Sequence, residues 1–136
     1  MSVKVGRING LKFKAVYNNH EIIAGRIDNE HEPEGMSPSA IMIAGLGLCT
    51  ATRTVEQIMK RGCDVKGLDL EVKTKSSKDL NLATSFDITI NLEADLSEEQ
   101  RLEILKEAQR CFVANTIKSS PKFTYTLNLV ESINQN

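Results

Sequence analysis

Two cysteines, Cys49 and Cys111, are the residues of this 136-residue chain best suited to chemistry. Cys49 closes the apolar run "AIMIAGLGLC", and Cys111 falls in "AQRCFVAN". A buried cysteine is by default a small hydrophobe. Two thiols facing inward from different helices can do more. One thiolate attacks an O–O bond and becomes a sulfenic acid, and the second condenses with it to a disulfide. The attacking thiol has to ionise near pH 7 against a free value of about 8.5. Helix-dipole help fades within the first turn, and Cys49 lies about three turns inside its expected helix. A cation must therefore assist. Arg53 stands at i+4 on the same helix face. Arg26 is the other candidate, arriving from a strand end or the loop after it.

Other chemistry-bearing residues form no site. Cys63 follows Gly62 with no partner at motif spacing, and the three cysteines make neither a CxxC pair nor a zinc spacing. His31 in "EHEPEG" has acids beside it but no second histidine nearby, which fits a solvated loop better than a metal centre. Gly45 and Gly47 fall within a helix rather than between strand and helix, so they are no phosphate loop. No cofactor site is expected.

The elements that must position the thiols are legible in the alternation of the chain. Val3 and Val5 share a face, "NG" at Asn9-Gly10 offers a hairpin turn, and Leu11, Phe13, Ala15 and Tyr17 follow at period two. "NNH" at Asn18 to His20 is a second turn, and His20 to Ile27 a third strand. Ser37 as N-cap with Pro38 at the first helical position opens a helix that runs to Arg61 and stops at Gly62. That helix is roughly 36 Å long. Its first half is apolar all round and so is expected to be buried on every side. Its second half turns Val55, Ile58 and Met59 inward. The glycines at 45 and 47 each cost roughly 1 kcal/mol against Ala in a helix, which close approach of another backbone would offset. Leu68, Leu70 and Val72 line a fourth strand, and Phe86, Ile88, Ile90 and Leu92 a fifth. Ser97 to Gln100 is a capping box. It opens a second helix with Leu102, Leu105, Ala108 and Phe112 on one face, and Ile104, Ala108 and Cys111 on its flank. Phe123, Tyr125, Leu127 and Leu129 alternate in a last strand. The order is β-β-β-α-β-β-α-β, an α+β class with antiparallel sheets backed on one face by helices.

Length fits one domain spanning residues 1–136. With 17 Lys+Arg against 18 Asp+Glu and a formal charge of −1, no basic stripe marks a nucleic-acid binder. No apolar run is long enough to span a bilayer, and "MSVKVGRING" has no signal-peptide h-region. A soluble, cytoplasmic protein is expected. A helix apolar on every side is more than so small a chain can wrap alone, which points to a homodimer.

The run "SPSAIMIAGLGLCTATRTVEQIMKRGCDVKGLDLEVK" resembles the central helix of the OsmC/Ohr family, whose first cysteine rides on a long buried helix. "AQRCFVANTIKSSPKFTYTLNL" is similar to its second-cysteine segment before a last strand. The resemblance implies an intertwined homodimer and thiol-dependent reduction of organic hydroperoxides, regenerated by a dithiol or thioredoxin-like reductant. It implies Cys49 as the peroxidatic cysteine and Cys111 as the resolving one. It further implies that an N-terminal arginine holds the thiolate, for which Arg26 is the best match and Arg7 the weaker. Two positions depart from the pattern. The family's upstream glutamate falls on Ser39, next to Ala40, and no acid occurs between Gly35 and Cys49. The proline after the second cysteine is Phe112. An alternative follows from that missing acid: a relative with little peroxidase activity that binds a small hydrophobic ligand, or senses redox state, at the dimer cleft.

Overall fold

The computed structural model describes residues 1–131. The first three strands, β1 (Lys4–Asn9), β2 (Leu11–Tyr17) and β3 (His20–Arg26), form an antiparallel meander in the order β1-β2-β3. Tyr17 pairs with His20 across a two-residue turn in which Asn18 and Asn19 take φ of 48° and 66°. Asparagine tolerates this left-handed pair better than most residues, and the pair matches the twist of the strands. At the first turn, Gly10 has φ +54° and a bulge falls between Arg7 and Asn9. A Cβ at Gly10 would lie 1.8 Å from the Ile27 carbonyl oxygen, so only glycine fits there.

The long helix α1 spans Pro38–Lys60. Ser37 Oγ accepts from the Ala40 N–H at 3.1 Å. The helix ends in a Schellman motif: the Gly62 N–H donates to the Met59 carbonyl and the Cys63 N–H to the Ile58 carbonyl, with Gly62 at φ +74°. Both boundaries agree with the capping signals in the sequence. β4 (Gly67–Ser77) and β5 (Leu82–Glu93) then form a second antiparallel sheet. Its register sets Leu68 against Leu92, Leu70 against Ile90 and Val72 against Ile88, so one face is aliphatic over these three pairs. Gly47 lets α1 settle on this face. A Cβ there would meet Leu70 Cδ2 at 3.1 Å and Val72 Cγ2 at 3.4 Å. The approach is thus to β4 side chains rather than to another backbone, and Gly45 faces open space.

α2 (Glu98–Ala108) starts with the complete capping box, Gln100 N–H to Ser97 Oγ and Ser97 N–H to Gln100 Oε1. It stops three residues before Cys111 and a separate short helix, α3 (Phe112–Lys118), follows. The single helix expected through Phe112 is therefore two. Apolar periodicity alone cannot reveal a break that keeps the inward residues in line. Ile104 and Ala108 are the buried pair of α2, while Leu102, Leu105 and Phe112 are exposed. The flank expected to be secondary is the true inner face.

The buried face of α1 is Leu46, Gly47, Thr50, Thr54, Gln57 and Ile58. Thr50 and Thr54 donate their hydroxyls to the carbonyls four residues earlier, which satisfies them inside an apolar layer. Within one chain α1 is not buried on every side: Met42, Leu48 and Met59 are exposed. The segment after α3, expected as a last strand, pairs with no strand among the described residues. Leu127 and Leu129 stand 88% and 95% exposed. Among the described residues no helix is long and apolar enough to cross a membrane.

Ile58, with 0% of its surface exposed, anchors the layer. Ile58→Ala is expected to cost about 2–5 kcal/mol, read as a lowered urea midpoint at fixed protein concentration.

Candidate functional site

The break after α2 gives the second cysteine its seat. Cys111 takes extended φ and ψ and acts as N-cap of α3, its Sγ accepting from the Ala114 N–H at 3.4 Å. A sulfur thus occupies the place usually taken by a serine or asparagine oxygen. The same sulfur lies 3.8 Å from Thr50 Oγ1 on the buried face of α1. Only 2% of Cys111 is exposed. Burial pushes its thiol up, but the Ala114 N–H, the Cys49 side chain, Thr50 and the Val113 N–H together outweigh burial. The net direction is below the ordinary thiol value.

Cys49 is brought to the same place from α1. It is half-buried, and its side chain is among the neighbours that stabilise the Cys111 thiolate. Both cysteines line one cleft of about 410 Å³, with Leu48, Thr52, Arg53, Glu56, Arg110 and Phe112. Both are free thiols. The two cysteines singled out in the sequence thus line one cleft from two different elements. The thiol on α1 is the more open of the two, and Cys111 is the buried one.

The candidate cations are placed very differently. Arg53 reaches from α1 to α2, where its Nη2 meets Glu107 Oε2 at 2.9 Å and its Nε donates to the Glu107 carbonyl at 3.3 Å. It is not the free, solvent-facing side chain that its position suggests. Glu107 also pairs with Arg110, Nη1 to Oε1 at 3.5 Å. Arg26 is exposed at the end of β3, with Nη2 on Asn29 Oδ1 at 3.1 Å, and does not line the cleft of its own chain. Arg7 donates to the Gly10 carbonyl within the first hairpin.

Glu107 and Arg110 went unrecognised at the sequence level, although "EAQRC" sets an acid and a base three apart just before Cys111. That spacing needed the end of α2 to become meaningful. Ser39 and Ala40 open α1, and neither lines the cleft. The loop around His31 is committed elsewhere. His31 Nδ1 contacts Asp28 Oδ1 at 2.6 Å, and Glu34 pairs with Lys12 at 2.8 Å. That histidine contact, followed by the Glu30 N–H, holds the Asp28 carboxyl below its usual value. Cys63 sits behind the C-cap of α1, near the Arg61 carbonyl and Gln100. Among the described residues no three His, Cys, Asp or Glu side chains converge on a metal position.

Comparison with known proteins gives the fold a context. Residues 30–126 match the family model of OsmC-like proteins. Among curated proteins none matches. Similar solved structures include a Psychrobacter arcticus 273-4 protein provisionally named for osmotic stress induction and detoxification response. It is 24% identical, with TM-score 0.75 and 85% of this chain and 87% of that one covered. An OsmC-like protein from Mycoplasma pneumoniae is 15% identical, with TM-score 0.74 and coverage of 88% and 87%. An OsmC-like hydroperoxide resistance protein from Jannaschia sp. CCS1 is 17% identical, with TM-score 0.57 and coverage of 96% and 93%. At these identities the structures establish the shared fold.

A depressed folded-state thiol loses its proton before the unfolded one does. Its stabilising contribution is present above the unfolded value, about 8.5, and is lost as pH falls through the folded value. Cys111→Ser retains a capping atom but cannot ionise in this range. The stability advantage of wild type over Cys111→Ser is expected to grow as pH rises toward that unfolded value. Urea unfolding at a series of pH values under reducing conditions checks this; a difference that stays flat or shrinks contradicts it.

Proposed function

Because the chain belongs to the OsmC-like protein family, we propose that it is a thiol-dependent peroxidase of organic hydroperoxides, working through Cys49 and Cys111. The observation that carries this reading is the shared cleft, with a half-open thiol from α1 beside a buried thiol at the start of α3. The Cys49 thiolate attacks the outer oxygen of the hydroperoxide. The O–O bond breaks, the electron pair leaves on the alkoxide, and a proton converts it to the alcohol. Cys49 is left as a sulfenic acid. The Cys111 sulfur displaces hydroxide from it, giving a disulfide and water. A dithiol or thioredoxin-like reductant then returns both thiols. No cofactor enters this cycle.

An apolar cavity of about 460 Å³ is lined by Leu46, Phe86, Ile88, Leu105 and Ala114 together with Thr50, whose hydroxyl lies 3.8 Å from the Cys111 sulfur. Its lining supports organic hydroperoxides with an apolar body over hydrogen peroxide. The Jannaschia structure, a hydroperoxide resistance protein, supports the same class of reaction.

The working unit in this reading is a homodimer. A compact chain of 15.1 kDa exposes about 7,100 Å², whereas this chain exposes 11219 Å². The excess lies partly on Phe123, Tyr125, Leu127, Leu129 and the outer face of α1, as expected of a chain completed by an intertwined copy. Arg26 would then act from the second copy, since it stands away from the cleft of its own. The protein is placed in the cytoplasm, where reductants for such a pair are available.

Cys49→Ser is expected to abolish consumption of cumene hydroperoxide in the presence of a dithiol. Cys111→Ser should turn over only while a small dithiol is supplied, because it cannot form the internal disulfide. Wild-type turnover by Cys49→Ser would overturn the assignment.

A further inference from the structure

The family's upstream acid is absent here, yet a carboxylate–guanidinium pair stands at the cleft from other elements. Arg53 lies one helical turn beyond Cys49 on α1 and lines the cleft with it. Its Nε and Nη2 are fixed by Glu107 of α2, through the backbone carbonyl and the carboxylate respectively. Two fixed donors on one planar group determine the orientation of the whole guanidinium. Nη1 has no hydrogen-bond partner among the described residues, which leaves it available to an anion in the cleft. The pair is only part-exposed, with the two side chains 32% and 25% accessible, so water screens it less than an open ion pair.

We propose that Arg53, oriented by Glu107, is the chain's own cation for the Cys49 thiolate and for the alkoxide that leaves it. The proposal deepens the peroxidase reading and rests on it for the substrate. Arginine does not release its proton in this pH range. Arg53 therefore contributes charge rather than acid catalysis, and the alkoxide takes its proton from water or from the one Cys49 gave up. Glu107 is a positioning residue, acting through Arg53.

Every charged or titratable group around Cys49 enters the balance. From α1 come Arg53 and the exposed Glu56; from α2, Glu107; from the link to α3, Arg110 and Cys111. Glu107 is neutralised between two arginines. Glu56 opposes a thiolate, but it is exposed and its field is screened. Arg110 is the more exposed of the two arginines, at 63% of its side chain, and its contact with Glu107 is the looser.

The test uses the full chain and two readouts. One is the pH profile of Cys49 alkylation by iodoacetamide, followed by peptide mass spectrometry. The other is kcat/KM for cumene hydroperoxide with a dithiol. Arg53→Gln should slow alkylation of Cys49 at neutral pH by about tenfold. Turnover should fall by a similar factor or more. Arg53→Met is a second neutral variant that keeps the aliphatic stem. Arg53→Lys should restore most of the alkylation profile and less of the turnover, because it cannot copy the two-point hold. The proposal is overturned if folded Arg53→Gln and Arg53→Met keep the wild-type profile. Alkylation needs no turnover, so a wild type that consumes no hydroperoxide sinks the peroxidase reading separately.

Discussion

The seating of Cys111 on α1 is the contact on which the site depends. It requires three things at once. α2 must stop at Ala108, the backbone must extend through 109–111, and α3 must begin with the Cys111 sulfur as its cap. α2 can deliver the chain to that point because Ile104 and Ala108 are buried with Thr54 and Ile58 in the common layer. A slip of one residue in that packing would turn the sulfur away from Thr50 and the Cys49 cleft. Stability and ionisation are thus coupled here: the capping bond from Ala114 both starts a helix and favours the thiolate form of Cys111.

The same packing places charge. Arg53 is carried by α1 and Glu107 by α2, so the ion pair closes only when the two helices dock. A positioned guanidinium differs from a mobile surface one in what it does for an anion. The ordering has already occurred on folding, so no reorganisation accompanies each reaction. The outer face of α1 and the segment after α3, which pairs with no strand among the described residues, leave apolar side chains uncovered within one chain. The chain as a whole exposes much more surface than a chain of this mass leaves to water when its packing is complete.

Much of this architecture could be read from residue spacing. The caps of α1, the Asn18-Asn19 turn, the aliphatic register of β4 and β5 and the capping box of α2 all stood in local sequence, because each obeys a short-range rule. The break between α2 and α3 did not. Ile104, Ala108 and Cys111 keep an inward phase through the interruption, and periodicity reports phase rather than continuity. Met59 likewise read as inward from its apolar type, but it is exposed within this chain. The two thiols were legible as candidates. Their contact depended on how far α2 runs, and so did the union of Arg53 with Glu107, two residues 54 positions apart. The alternation from Phe123 to Leu129 has no partner strand among the described residues, because a period-two pattern marks a strand-like face without naming what it pairs with.

The central claim is that Cys49 and Cys111 form one redox unit. Stoichiometric cumene hydroperoxide added to the fully reduced protein, followed by peptide mass spectrometry without reductant, tests it directly. The account predicts a single cross-linked species joining the Cys49 and Cys111 peptides, lighter by two hydrogens, with Cys63 still a free thiol. Cys49 and Cys111 both remaining reduced, or Cys49 accumulating as an over-oxidised acid with no cross-link to Cys111, would contradict it.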